Sequence, residues 1–210
     1  MGRRKKEPEQ THRQAIADAA GQLFSRSSIA AVTMDEIARA AGYSKATLYV
    51  YFQNKDEIVD FLVLESMRGL YRHIAEAVQA PSGTSARYFA VCHALAAYQA
   101  QYPLYFTLAL GEIQAGADCP PVRQETFAVG EEINRTLSEF LAAGMQAGDL
   151  RADLPVLQTV FLFWATLSGL ILLAANKHAY LEAALGQSSA AFLEDGFERL
   201  YGLIAKEAHT

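Results

Sequence analysis

Apolar residues recur at helical spacing along almost the whole chain, and no run of β-branched residues alternates with polar ones between turn dipeptides. The chain is therefore expected to be all-α. A first stripe, Ile16, Ala20, Leu23 and Phe24, follows Thr11 and Gln14, which have capping-box spacing. A second helix is expected to start at Met34. Thr33 and Glu36 form another capping box there, and Val32 and Ile37 bracket it as a hydrophobic staple. It should end near Ala41, because Gly42 supplies the positive φ with which a chain often leaves a helix. Ser44 caps a third helix, with Tyr43 and Leu48 at staple spacing, and Asn54 caps a fourth with Glu57 three residues on.

That fourth pattern, Ile58, Phe61, Leu62, Leu64, Met67, Leu70 and Ile74, runs over 56–78 and is long enough to join two parts of the molecule. QAPSGTS at 79–85 is the first clear break. Further helices are expected over 86–101, 103–114, 121–146, 156–177 and 188–208, with Gly148 closing one and Asp153 capping the next.

The stretch 33–52, TMDEIARAAGYSKATLYVYF, has the layout of a helix-turn-helix, in which the second helix reads base edges in a major groove. At 100° per residue Leu48 and Phe52 share an inward face, and Ala46 and Val50 fall opposite, flanked by Thr47 and Tyr49. No carboxylate lies between Ser44 and Phe52 to repel phosphate. Lys55, at the positive N-terminus of the next helix, is placed to clamp a phosphate. A capped helix pair alone also occurs in all-helical protein-binding adaptors, which stand as the alternative.

The run 37–58, IARAAGYSKATLYVYFQNKDEI, resembles the DNA-binding domain of TetR-type transcriptional regulators, whose recognition helix and exit commonly read SxxTLYxxFxxKxxL. The matching residues are Ser44, Thr47, Leu48, Tyr49, Phe52 and Lys55, with Ile58 where Leu is usual. Ser28 stands where such proteins often have Gly, and Tyr43 replaces a common small aliphatic residue. The resemblance implies a three-helix DNA-binding domain over 1–60 and a larger helical effector-binding and dimerisation domain over 61–210. It implies phosphate contacts from Thr33, Tyr49, Tyr51 and Lys55, and groove contacts from Ser44, Lys45, Ala46, Thr47 and Val50. The expected function is a ligand-responsive repressor that binds a palindromic operator as a homodimer and leaves it when a small molecule binds.

Charge is distributed accordingly. The net charge of −5 argues against DNA for the chain as a whole, yet residues 1–56 hold nine Lys+Arg against six Asp+Glu, or +3, leaving nine against seventeen, or −8, for 57–210. Arg3, Arg4, Lys5 and Lys6 would make a basic N-terminal arm that adds salt-dependent affinity. Cys92 and Cys119 form no CxxC or Cys/His cluster, so neither a metal nor another cofactor is expected, and with no secretory signal peptide a cytoplasmic protein is the default. The absence of a P-loop, of GxGxxG after a strand, and of HExxH and GxSxG speaks against an enzyme.

The segment 160–175, VFLFWATLSGLILLAA, is about 16 residues, short of the roughly 20 needed to cross a bilayer. Burial on all sides in a subunit interface is the expected explanation. Leu162, Thr166, Gly169 and Leu173 there, with Phe197, Leu200 and Tyr201 of the last helix, are the candidate dimer residues, giving half of a bundle that a twofold mate completes. Candidate effector contacts are Phe89, His93, Tyr105, Phe106, Phe127, Asn134 and Trp164, an apolar and aromatic set with a few polar groups suited to an apolar or aromatic compound. Any single aromatic among them is more often core.

Overall fold

In the computed structural model the described residues are 8–79, 83–112, 116 and 118–206. They form ten helices: α1 (Glu9–Phe24), α2 (Met34–Ala40), α3 (Lys45–Tyr51), α4 (Lys55–Val78), α5 (Thr84–Gln101), α6 (Pro103–Ala109), α7 (Pro121–Ala147), α8 (Val156–Asn176), α9 (His178–Leu185) and α10 (Ser189–Gly202). The all-α expectation holds, and the extended contact among the described residues is an isolated bridge between Leu150 and Ala205. The basic arm proposed at Arg3 to Lys6 lies outside the described residues.

Two hydrophobic cores share the long helix α4. The head core gathers Ile16, Ala20 and Phe24 of α1, Ile37 of α2, Leu48 of α3 and Phe52, and closes on Ile58, Phe61 and Leu62 of α4. From Met67 onward α4 belongs to the body core, with Leu70 and Ile74 against Cys92 and Leu95 of α5, Phe106 of α6, Ile133 of α7 and Ile171 of α8. Helix α6 touches both, since Leu104, Tyr105 and Leu108 pack on the head core while Phe106 is buried in the body. The two cores are therefore bridged by two helices, α4 and α6.

Local sequence accounts for most boundaries. Thr33 and Glu36 form the full capping box, with Glu36 N–H donating to Thr33 Oγ1 at 3.3 Å and Thr33 N–H donating to the Glu36 carboxylate at 2.8 Å. Gly42 has φ 74° and turns the chain toward Ser44. Gly148, with φ 77°, ends α7 as expected. Three boundaries differ. Helix α1 starts at Glu9 behind Pro8, and Gln14 donates to Asp18 at 2.9 Å instead of closing a box with Thr11. Pro155 is the N-cap of α8, so Asp153 lies two residues too early to cap it and its carboxylate pairs with Arg151 at 2.8 Å instead. Helix α9 is additional, and α10 stops at Gly202, short of the expected 208.

Helix α8 is not buried on every side within one chain. Val160, Leu167, Ile171 and Ala174 face the core, while Leu157, Phe161, Leu162 and Leu173 are exposed. At 21 residues with a mean hydropathy of 2.0 it is long and apolar enough to cross a membrane, which corrects the length argument made from 160–175. One face of it is instead committed to protein packing.

Candidate nucleic-acid interface

The two short helices of the head meet through Gly42, and α3 inserts Leu48 beneath α1 and α2 with no exposed surface. That pins its opposite face outward. Val50 is 76% exposed and Tyr49 42%, with Ser44, Lys45 and Ala46 also in the open. Thr47 is half-buried, and its hydroxyl and that of Ser44 lie 2.7 Å apart. Ser44 also accepts the Thr47 N–H at 3.1 Å, so both hydroxyls that would meet DNA are pre-set by the cap of their own helix. Tyr51 is half-buried and its ring is 5.1 Å from that of His12.

Lys45 is not a free charge. Its ammonium contacts Asp35 on α2 at 2.7 Å, a hydrogen bond that raises its pKa. The pair is exposed, so Asp35 orients an ammonium whose other donors stay open to solvent. The Glu36 carboxyl is held below its usual range, first by the Thr33 N–H and then by the Thr33 hydroxyl, which keeps the box closed into acidic conditions.

Lys55 departs from its expected role. Its ammonium donates to the carbonyls of Ile29 at 2.7 Å, Ala30 at 3.0 Å and Val32 at 2.9 Å. An ammonium has three donors, and all three are spent on the α1–α2 loop. Lys55 thus clamps the backbone that precedes Thr33, and a phosphate would have to compete with these carbonyls for it.

Two residues that the sequence pattern did not single out hold the recognition helix from behind. Arg13 of α1 donates to the carbonyl of Tyr51, the last residue of α3, at 2.7 Å, and its guanidinium lies 4.2 Å from the Phe52 ring centre and 5.3 Å from that of Phe61. A cation on a terminal carbonyl satisfies an orphan acceptor and opposes the negative end of the helix dipole. His12 Nδ1 is 2.7 Å from the Tyr43 hydroxyl, fastening the turn to α1. The signal available was their spacing, one turn before the apolar stripe at Ile16.

Comparison with known proteins gives the same assignment. A profile described as bacterial regulatory proteins of the tetR family matches residues 16–61, and one described as tetracyclin repressor-like, C-terminal domain, matches 107–185; together they cover more than half of the chain. The chain is 26% identical over 176 residues to the probable HTH-type transcriptional regulator ArpR of Pseudomonas putida, spanning 81% of this chain and 83% of that protein. It is 28% identical over 151 residues to the HTH-type transcriptional repressor KstR2 of Rhodococcus jostii, at 69% and 70% coverage. The fold matches a Rhodococcus protein of unknown function with a TM-score of 0.78, 17% identity and coverage of 98% and 100%. It also matches the ketosteroid regulator KstR2 of Mycobacterium tuberculosis with a TM-score of 0.69, 19% identity and coverage of 93% and 95%. This chain belongs to the TetR family of bacterial regulatory proteins. It is a DNA-binding transcriptional regulator, and the adaptor alternative is set aside.

In this TetR-family chain the body holds an apolar cavity of about 40 Å³ lined by α5, α7 and α8, among them Tyr88, Cys92, Phe140, Phe163 and Trp164. A neighbouring cleft of about 120 Å³ shares Leu137, Val160 and Trp164 with it and adds Asn134. Burial pushes the Cys92 thiol up to about 12 and raises the Tyr88 hydroxyl above its ordinary range, so both stay protonated.

Of the candidate effector contacts, Asn134 and Trp164 line these spaces and the others do not. His93 is on the surface, 2.8 Å from Glu194 of α10. Phe127 is exposed. Phe106 is buried solid core, Phe89 packs with the Tyr88 and Tyr201 rings, and Tyr105 belongs to the head–body junction. The lining residues that the sequence did not single out, Cys92 and Leu95 beside Tyr88, and Val160, Phe163 and Leu167, are stripes at three- and four-residue spacing on facing helices.

Among candidate dimer residues, Leu162, Thr166, Gly169 and Leu173 lie on the exposed face of α8, and Leu200 and Tyr201 are half-buried. Phe197 is 1% exposed, buried among its own chain's side chains, and cannot meet a partner. The apolar stripe of α10 turns inward onto α8, where a Cβ on Gly196 would come within 2.5 Å of Leu170. Glu194, Asp195, Glu198 and Arg199 are left outside.

Proposed function

We propose that this regulator is a repressor that binds a palindromic operator as a homodimer and releases it when an apolar or aromatic compound enters the body. The observation that carries the reading is the outward face of α3, where Ala46 and Val50 stand among Ser44, Lys45, Thr47 and Tyr49 with no carboxylate on the helix. Tyr49 and Tyr51 then meet phosphates together with the Thr33 region, and Lys45, Thr47 and Val50 meet base edges. The division of labour falls near Asp60, with 1–60 binding DNA and 61–210 binding effector and partner. Two heads joined across the α8 face would occupy half-sites about one helical turn apart, roughly 34–36 Å.

Release follows from how the body holds α4. Arg123 of α7 contacts Asp60 at 2.9 Å, and Arg68 of α4 is paired with Glu65 and with Glu125 of α7. A compound larger than the present cavity has to displace the shared wall at Leu137, Val160 and Trp164, and α7 would pass that shift to α4 and the head. Only a compound with different affinity for the two head spacings moves the equilibrium. The KstR2 relatives are a repressor and a ketosteroid regulator by name, which favours repression and an apolar ligand here. The protein acts in the cytoplasm and performs no catalysis in this scheme.

The test is a gel shift with fragments of the DNA upstream of its own gene. A discrete complex at one palindromic fragment, dissolved by a compound that binds the body, is expected. Equal affinity for that fragment and for random DNA would contradict the reading.

A further inference from the structure

We propose that the cleft between head and body is a second small-molecule site, one that takes single-ring aromatic carboxylates. The cleft holds about 260 Å³ and lies between α1, α4, α5 and α6; it shares no lining residue with the two body cavities. Its volume is just under the roughly 300–1,000 Å³ of drug-sized sites, which suits one substituted ring.

Its wall is a chain of rings. His73 and Tyr98 are 4.9 Å apart between ring centres, Tyr98 and Tyr102 5.5 Å, and Tyr102 and Tyr105 6.1 Å. Such a surface stacks planar ligands edge or face on. Several polar groups around it are already committed. Tyr98 donates its hydroxyl hydrogen to Ser66 O at 2.9 Å, and His73 Nδ1 is 2.8 Å from Gly69 O. The two carboxylates that act on Tyr105 are also held, Glu65 by Arg68 at 2.6 Å and Asp18 by the Gln14 amide at 2.9 Å.

What is left unmatched defines the ligand. Arg72 and Tyr102 are exposed at the mouth of the cleft and Tyr105 is half-buried, and their guanidinium and hydroxyls make no hydrogen bond or ion pair among the described residues, which leaves them open to a ligand. Two hydroxyls and a planar cation beside a stacking wall call for an aromatic ring bearing a carboxylate, which a guanidinium engages with two parallel hydrogen bonds. Gln14 lies on the head helix α1 and the other lining residues on α4 to α6, so the ligand would touch head and body together.

The experiment is calorimetric titration of the full chain with 4-hydroxybenzoate and with its neutral analogue 4-hydroxybenzamide. The carboxylate is expected to bind at least about tenfold more tightly than the amide. R72Q should erase that difference, and Y102F combined with Y105F should weaken both compounds. Circular dichroism of each variant verifies folding. Absence of saturable 4-hydroxybenzoate binding would overturn the proposal, as would 4-hydroxybenzoate binding that R72Q leaves intact or that Y102F combined with Y105F leaves intact. None of these readouts involves DNA, so they stand or fall apart from the repressor reading.

Discussion

Helices α3 and α8 both leave apolar side chains in the open. On α3, Val50 is 76% and Tyr49 42% exposed, on α8 Leu162 is 58% and Phe161 53%. Their surroundings differ. Around Val50 stand Lys45, the Ser44 and Thr47 hydroxyls and the Tyr49 ring, so the apolar group is a single point within a polar surface. Around Leu162 stand Leu157, Phe161, Thr166, Gly169 and Leu173 with no charge on the helix at all. A scattered apolar group beside hydrogen-bonding side chains suits the mixed edge of a base pair, and a contiguous apolar face without charge suits another such face. In the proposed function the first face selects and the second associates.

The largest expected effect comes from breaking the second surface. Leu162→Glu places one charge at each of two symmetric contacts, and the burial lost, about 1.5–3 kcal/mol per side chain, counts twice in a twofold interface. Sedimentation should show the variant as a monomer, and operator affinity should fall by about a hundredfold or more. The head should stay folded, since Leu162 is exposed in the single chain.

Next in size is Arg13→Ala. Loss of the bond to Tyr51 O and of the stacking on Phe52 should cost about 1–3 kcal/mol in thermal unfolding. Operator affinity should drop further than that of random DNA, because the angle of α3 is what suffers. Arg13→Lys should restore stability in part and leave the operator preference impaired, as an ammonium lacks the planar face.

Lys55→Ala sharpens the distinction between holding and touching DNA. As a loop clamp its removal should lower Tm and leave the salt dependence of DNA binding unchanged. A phosphate contact would instead lower the slope of log K against log salt by about 0.9.

The smallest effect concerns Cys92. Its thiol, pushed up to about 12 from an ordinary value of 9.0, favours the folded state fully below pH 9. That contribution declines as pH rises from 9 toward 12, because the unfolded thiol ionises first. Alkylation by iodoacetamide at pH 8 should mark Cys119, which is partly exposed, before buried Cys92.

The head was more legible than the body, and the reason is locality. Thr33, Ser44 and Asn54 each satisfy free N–H groups three residues away, so the cap and its partner sit in one short stretch of sequence. The cavity at Tyr88, Leu137 and Trp164 depends instead on how three distant helices cross, which no single window contains. The backbone contacts of Lys55 were hidden for the same reason. Its position at a helix N-terminus is local, whereas the carbonyls that consume its donors belong to a loop more than twenty residues earlier. Phe197 shows the converse, an apolar stripe correctly seen on α10 whose direction only the packing against α8 decides.

In the proposed function the outward face of α3 selects DNA. The most direct test compares the wild type with Val50→Glu for binding to the upstream fragment and to random DNA at fixed salt, with dimer content measured in parallel. The prediction is a wild-type preference of at least about 10³-fold for the fragment, lost in Val50→Glu with the dimer intact. An unchanged preference in that variant would contradict the account.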